Sequence, residues 1–371
     1  MGILNSFRRF ASPALSPVMW NISIVAAALG LRSFFAEPIT ALAVGVLIGG
    51  VLQLALQWPF LRKCGVKLKF RFNFRHPGLK QIGLLMIPAM LGAGITTINV
   101  FVSSTLASML PGGSVTYLFY ADRIMELPLG VFAIAIGTAV LPSFSRHVAA
   151  GNMDELKSSI SFSLRLMLFL TIPSTFALMA LNLPIISVLF QRGAFNTQAA
   201  IYTSQALFFY GLGLWAFSIV RVFVQSFYSL QDAKWPMRAA IIAFVINLIF
   251  SLALMYPMKH KGLALANSLS AVFNVFILSF VLRRKIGKFL DSSFYISILK
   301  IIISGVIMIG AILLIDYFLP WNTYANFKTR LIYLTCTIVF GAGVFFTSAY
   351  LLKSPESHSL VNMLKNRLTR P

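Results

Sequence analysis

Residues 295–318 read YISILKIIISGVIMIGAILLIDYF, a run whose only charged residues are one lysine and one aspartate. A helix that crosses a membrane needs about 20 consecutive, mostly apolar residues, so this run predicts a membrane span. Similar runs recur, and we predict ten spans in all, at residues 17–34, 38–60, 80–109, 115–144, 158–181, 199–229, 235–256, 261–282, 295–318 and 329–352. Only 11% of the residues are charged, against about 25% in soluble domains. The sequence therefore predicts an all-α, polytopic integral membrane protein.

The basic residues predict the orientation of these spans. The chain has 31 Lys and Arg against 9 Asp and Glu, a net charge of +22. With the N-terminus in the cytoplasm, 21 Lys and Arg lie on the cytoplasmic side, 6 lie opposite, and four lie in or near spans: Arg123, Arg165, Arg221 and Lys300. Cytoplasmic loops of membrane proteins carry such an excess. We therefore expect both termini inside and no nucleic-acid partner.

The loop at residues 62–80 is the most basic stretch of the chain. Its basic residues are typical of an orientation determinant that also attracts anionic lipid headgroups. A site for a specific partner is the alternative.

The run YADRIMELP, Tyr120 to Pro128, places Asp122, Arg123 and Glu126 in the fourth span. Arg123 and Glu126 are three residues apart and share a helix face. They can form an internal ion pair, or Arg123 can face a water-filled cavity and bind an anionic group. Arginine suits phosphate because its planar guanidinium donates two hydrogen bonds at once. Pro128 removes one helical hydrogen bond and permits a bend.

Uncharged polar residues recur at helical spacing in other spans. Asn99 and Ser103 share one face of the third span, together with Thr96. They either join helices by hydrogen bonds or line a cavity. Arg221 in the sixth span either extends to the cytoplasmic interface or contacts a ligand. In the eighth span, Asn267 and Asn274 share a face, and we interpret them as contacts between helices.

The sequence lacks the signatures of a catalytic or metal centre. No HExxH, CxxC, Walker A or GxSxG pattern occurs, and no paired-carboxylate catalyst is visible. Cys64 and Cys336 lie far apart, so a disulfide framework is not indicated. We expect no catalytic residues, no metal and no cofactor.

The run YADRIMELPLGVFAIAIGTAVLPSFSRH at Tyr120–His147 resembles the MurJ (MviN) family of bacterial lipid II flippases. Four further stretches resemble the same family: GILNSFRRFASPALSPVMWNIS at Gly2–Ser23, GGVLQLALQWP at Gly49–Pro59, FYSLQD at Phe227–Asp232 and KHKGLALANSL at Lys259–Leu269. The resemblance runs through essentially the whole chain.

The resemblance implies the fold of the multidrug and lipid-linked oligosaccharide or polysaccharide exporters, which work by alternating access. Family members resemble fourteen-helix proteins, and this chain resembles the part from the fifth helix onward, so we expect the first four helices to be missing. Residues 1–63 then correspond to the last two helices of a first lobe, 78–288 to a complete six-helix second lobe, 293–353 to a terminal helix pair and 354–371 to a basic cytoplasmic tail.

The implied function is transport of lipid II, an undecaprenyl-pyrophosphate-linked muropeptide, from the inner to the outer leaflet of the bacterial cytoplasmic membrane. This step serves peptidoglycan synthesis, cell-wall biogenesis and cell shape. Arg123 matches a cavity arginine of the family and Glu126 an acid beside it, and the terminal helix pair flanks a groove for the lipid tail. The candidate substrate-binding residues are therefore Asn99, Ser103, Asp122, Arg123, Glu126 and Arg221.

Other functions remain open at this stage. The chain can be an inactive or scaffold fragment of a flippase, or an exporter of another lipid-linked glycan. An enzyme acting on lipid-linked substrates would need paired acids or a His/Asp constellation, and neither is seen. Besides membrane lipids and lipid II, the sequence identifies no partner.

The ten-span topology can be tested by chemical labelling. Because the charge asymmetry places Lys67 inside and Gly113 outside, cysteines substituted at these positions should react with impermeant reagents from opposite faces of the membrane. Reaction of both from the same side would contradict the ten-span arrangement.

Overall fold

The computed structural model describes residues 11–65, 94–95, 97–323 and 326–357, together with Leu4 and Phe7. Within these residues the regular structure is helical, and no strand occurs. The helices are α1 (Ala11–Gly30), α2 (Ile39–Lys63), α3 (97–108), α4 (Ser114–Pro128), α5 (Ile134–Ala149), α6 (Met153–Ala180), α7 (Asn182–Phe190), α8 (Thr197–Ser229), α9 (Lys234–Met258), α10 (His260–Ile286), α11 (Ser292–Phe318) and α12 (Phe327–Leu351). The chain divides into two compact units, Met1–Leu84 and Leu85–Pro371.

Seven of these helices, α2, α6, α8, α9, α10, α11 and α12, are long and apolar enough to cross a membrane. The polytopic all-α fold is thereby confirmed. The first predicted span corresponds to the shorter apolar stretch Leu15–Gly30 of α1. Half of the third span, Thr96 among it, most of the basic loop at 62–80 and most of the tail at 354–371 lie outside the described residues.

The first unit is a helical hairpin of α1 and α2. Its interface contains Gly45 and Gly49, the small residues that the GxxxG spacing predicts at a close helix contact. A Cβ added to Gly45 would lie 2.8 Å from the Cβ of Ala27, so α2 approaches α1 too closely for any larger side chain. At the same contact the Ser23 hydroxyl donates to the Gly45 carbonyl over 2.8 Å.

The second unit is built around α8. This helix begins at the cap residue Asn196, whose side chain accepts a hydrogen bond from the Ala199 amide, and it packs against α4, α5, α6, α7 and α10. Gly213 gives α8 its close contact with α10, because a Cβ there would lie 2.8 Å from the Cα of Ser268. The Ser268 hydroxyl in turn donates to the Phe209 carbonyl over 2.7 Å.

Two elements differ from the sequence-based expectation. The fourth predicted span is two helices, α4 and α5, joined by one π-helical turn at Leu129–Ala133. The turn follows directly after Pro128, which has no amide to donate to the preceding turn.

The second element is α7, a nine-residue apolar helix in a segment where we predicted no element. At about 1.5 Å per residue it is too short to cross a membrane, and it packs on α8.

Two polar contacts join helices of the second unit. Lys285, near the end of α10, pairs with Asp232 in the turn after α8. Arg165 of α6 donates from Nη1 to the Ser293 hydroxyl of α11 over 2.9 Å. Desolvation of Asp232 raises its pKa, but hydrogen bonds from Lys285 and from the Trp235 and Lys234 amides outweigh that effect and lower the pKa. Asp232 is therefore ionised at neutral pH and holds the end of α10 against the α8–α9 turn.

The segment after α12 is attached to α6 and α11 by a buried carboxylate. The side chain of Glu356 is only 1% exposed. Its Oε2 accepts hydrogen bonds of 2.7 Å from the hydroxyls of Ser297 and Ser354, and its Oε1 lies 3.3 Å from Nε of Arg165. These contacts join α6, α11 and the segment after α12 at a single point.

The buried Glu356–Arg165 pair predicts that Glu356→Ala lowers the unfolding temperature more than Asp154→Ala does. Glu356→Ala leaves the mostly buried Arg165 without its counter-charge, and breaking such a pair costs about 3–5 kcal/mol. The thermal unfolding temperature in detergent should therefore fall clearly. Asp154→Ala is the matched control, because it removes an exposed ion pair with Lys157 and such pairs contribute little. Equal unfolding temperatures for the two variants would contradict this assignment.

Candidate functional site

The pair Arg123–Glu126 lies on α4, one turn before the π-helical turn. Nη1 of Arg123 donates to Oε2 of Glu126 over 2.6 Å, so the structure shows the ion pair that the three-residue spacing allows. The guanidinium carbon also lies 5.0 Å from the centre of the Phe119 ring. The contact with Glu126 is through one nitrogen only, and a guanidinium carries five N–H donors.

Both members of this pair are accessible. The side chain of Arg123 is 54% exposed and that of Glu126 is 50% exposed. Asp122, the preceding residue, is half-buried and interacts electrostatically with Tyr210 of α8. Asp122 therefore interacts with Glu126 and Arg123 as well as with Tyr210 of α8, whereas Glu126 forms the direct ion pair with the accessible Arg123.

Asn99 lines a separate cavity of about 210 Å³ in the second unit, in which a few polar side chains interrupt a mostly apolar wall. Across from it on α10 lie Asn267, Ser270 and Asn274, with α8 and α9 completing the wall. The Oδ1 atoms of Asn99 and Asn274 are both buried and accept no hydrogen bond from any described residue. Buried amide oxygens are normally hydrogen-bonded, so this cavity has the character of a site for hydrogen-bond donors.

The structure adds a cavity to the interpretation of Asn267 and Asn274. We interpreted them as contacts between helices, and the structure places them in the cavity wall with Asn99. Their seven-residue spacing did show that they share a helix face, but it could not show which helix lies opposite. That information depends on the packing of α10 against α3, α8 and α9.

The remaining predicted residues lie elsewhere. Ser103 is half-buried, one turn beyond Asn99 on α3, and is not part of the cavity wall. Arg221 of α8 is exposed and lines none of the described cavities. Within the described part of the chain, no hydrogen bond or ion pair connects the Arg123–Glu126 pair with the Asn99 cavity.

The second unit also has a large apolar groove of about 760 Å³. Its walls are formed by α6, α8, α10 and α11, with aromatic side chains such as Phe176, Trp215, Phe276 and Phe294. Of the last two helices, α11 lines the groove and α12 does not. An elongated hydrocarbon chain is the kind of ligand that such a surface accommodates.

The described residues contain no group of three or more His, Cys, Asp and Glu side chains placed to hold a metal ion. What they present instead is an accessible cation with its paired acid, the Asn99 cavity and an apolar groove. An amphiphilic molecule has chemical groups that are complementary to such features.

Comparison with known proteins identifies relatives along nearly the whole chain. A family profile described as "Lipid II flippase MurJ" matches residues 1–333. A probable lipid II flippase MurJ from Vibrio cholerae is 34% identical over 94% of this chain, and one from Haemophilus influenzae is 32% identical over 96%. The chain spans 66% and 71% of the length of these two relatives.

A solved structure agrees with these sequence relatives. It is described as lipid II flippase MurJ in an inward closed conformation, and it superposes with a TM-score of 0.74 at 27% identity. The match covers 93% of this chain and 69% of the solved one.

Proposed function

Because the chain belongs to the lipid II flippase MurJ family, we propose that it moves lipid II from the inner to the outer leaflet of the bacterial cytoplasmic membrane. The family profile spans residues 1–333 and thus covers the helices that carry the Arg123–Glu126 pair, the Asn99 cavity and the apolar groove. That single observation carries the proposal. The chain is a multi-pass protein of this membrane with a transporter fold. We propose lipid II translocation for this chain, either by itself or as part of a longer protein.

The Arg123–Glu126 pair and the apolar groove correspond to the two parts of the substrate. Lipid II joins an anionic pyrophosphate-linked headgroup to a long isoprenoid tail. In this proposal Arg123 contacts the pyrophosphate, since its guanidinium is accessible and is held to Glu126 through Nη1. The tail occupies the apolar groove between α6 and α11. No bond is formed or broken, so binding residues take the place of catalytic ones.

The organisation of the chain in this proposal has four parts. Residues 1–63 are the end of a first lobe, 78–288 are a six-helix second lobe, 293–353 are a terminal helix pair and 354–371 are a basic tail. The packing of α11 and α12 on each other and on α6 supports the terminal pair as an attached element. The Glu356 contacts anchor that pair to α6.

Alternating access then follows from the local structure of α4 and α5. The π-helical turn at Leu129–Ala133 lies directly after the charged pair and Pro128. Such turns have one unsatisfied or displaced backbone hydrogen bond and allow a helix to change direction. In our proposal the Arg123 side of this turn moves relative to α5 as the site opens from one leaflet to the other.

The role of Arg123 can be tested by a cycle of variants. A hydrogen bond to a charged group is worth roughly 1.5–3 kcal/mol, so Arg123→Ala should slow lipid II translocation by at least about tenfold at unchanged membrane abundance. Arg123→Lys keeps the charge but loses the planar fork, so it should restore activity only in part. Translocation is measured in reconstituted vesicles and abundance separately in membranes.

Glu126→Ala, the double variant and a matched arginine complete this cycle. Arg284 lies 4.4 Å from the Phe280 ring, much as Arg123 lies over Phe119, and Arg284→Ala should leave translocation unchanged. If Arg123 only pairs with Glu126, both single variants will lower abundance and the double variant will restore it. That pattern, or normal translocation by Arg123→Ala, would exclude substrate contact; failure of the unaltered protein to translocate lipid II would contradict the proposed function.

A further inference from the structure

A second polar pocket, of about 290 Å³, lies where α4, α8 and α10 begin. Its wall includes Tyr117, Tyr202, Gln205, Lys259, His260 and Lys261. The Lys and Arg distribution places this end of the helices on the extracytoplasmic side. None of the pocket's features belongs to the Arg123 pair, the Asn99 cavity or the apolar groove.

Three rings that contact one another form a rigid side of this pocket. The ring centres of Tyr117 and Tyr202 are 5.4 Å apart, and each lies 5.5 Å from the centre of the His260 ring. Nε2 of His260 lies 3.0 Å from the Tyr202 carbonyl oxygen. Aromatic pairs at these separations attract one another. The triangle therefore holds the first turns of three helices together and gives the pocket a defined shape.

The pocket also has an unbalanced positive charge. Lys259 and Lys261 flank His260 and both line the pocket. No acidic side chain is among the lining residues, and within the described residues neither ammonium group is paired with a carboxylate. Lys259 is exposed, whereas Lys261 is half-buried. Two like charges beside one small cavity repel each other, and a bound anion would relieve that repulsion.

We propose that this pocket binds a phosphate group on the extracytoplasmic side. A phosphate monoester carries about −1.5 to −2 charges at pH 7, which matches two ammonium groups better than a single carboxylate does. Lysine is a common phosphate ligand, and Gln205 and the Tyr117 hydroxyl offer further hydrogen-bond donors. The volume lies just under the 300–1,000 Å³ or so typical of pockets for drug-sized ligands, so one headgroup fits. The site stands on this geometry and does not depend on lipid II transport.

The source of the phosphate is either a lipid headgroup or a free ion, and two measurements on the purified 371-residue protein distinguish them. Native mass spectrometry counts the tightly bound phosphatidic acid, whose headgroup is a phosphate monoester, with phosphatidylcholine as the zwitterionic comparison. Calorimetry measures binding of inorganic phosphate, with acetate as the carboxylate comparison. For the double variant Lys259→Gln/Lys261→Gln we expect the loss of one bound phosphatidic acid, or phosphate binding weakened at least about tenfold, because each charge-assisted bond is worth about that much.

Two further variants separate charge from structure. Lys259→Arg/Lys261→Arg keeps both charges and should retain binding. Lys328→Gln removes an exposed lysine of α12 on the same predicted side and should change neither measurement. A lipid-only loss identifies a headgroup site, and a phosphate-only loss identifies a site for the free ion. The proposal is overturned if the double glutamine variant behaves as the unaltered protein in both measurements, if Lys328→Gln produces the same loss, or if acetate binds as well as phosphate.

Discussion

The constraint on which this structure depends is the hydrogen bonding of the backbone in a lipid environment. The hydrocarbon interior offers no water to unsatisfied N–H and C=O groups, so a chain that crosses it repeatedly must do so as helices. The described residues follow this rule, and serine hydroxyls of α6, α8 and α11 also bond to carbonyls of their own helices. Regular α-helical hydrogen bonding is interrupted at the π-helical turn Leu129–Ala133, which follows Pro128, a residue without a backbone N–H. It lies beside the charged pair, at the place where a transporter has use for a helix that can bend.

The charged pairs of the second unit differ in the elements that they join. Charges are expensive within hydrocarbon, and two pairs hold helices together. Asp232 with Lys285 joins the turn after α8 to the end of α10, and Glu356 with Arg165 joins the segment after α12 to α6. Arg123 and Glu126 differ from these structural pairs because both are half-exposed and belong to one helix. The pair therefore adds little to the packing of one helix on another, and its accessibility favours a role with a ligand.

Small residues determine how closely the helices approach. In lipid there is little hydrophobic drive for helices to associate, so close packing and interhelical hydrogen bonds take its place. Gly45 against Ala27 and Gly213 against Ser268 show this principle in the two units separately. The apolar groove lies on the surface lined by larger side chains of α6, α8, α10 and α11.

The sequence by itself determined the fold class, the position of most helices and the family, because apolar length, Lys and Arg placement and the run around Tyr120–His147 are local properties. It also allowed the pair between Arg123 and Glu126, since a three-residue spacing places both side chains on one helix face. Only the tertiary structure placed Asn274 opposite Asn99, revealed α7, and brought Tyr117, Tyr202 and His260 into one triangle. These features join residues that are tens to more than a hundred positions apart, or a helix too short for apolar length to reveal. Which helix faces which is decided by the packing of side chains across all of them.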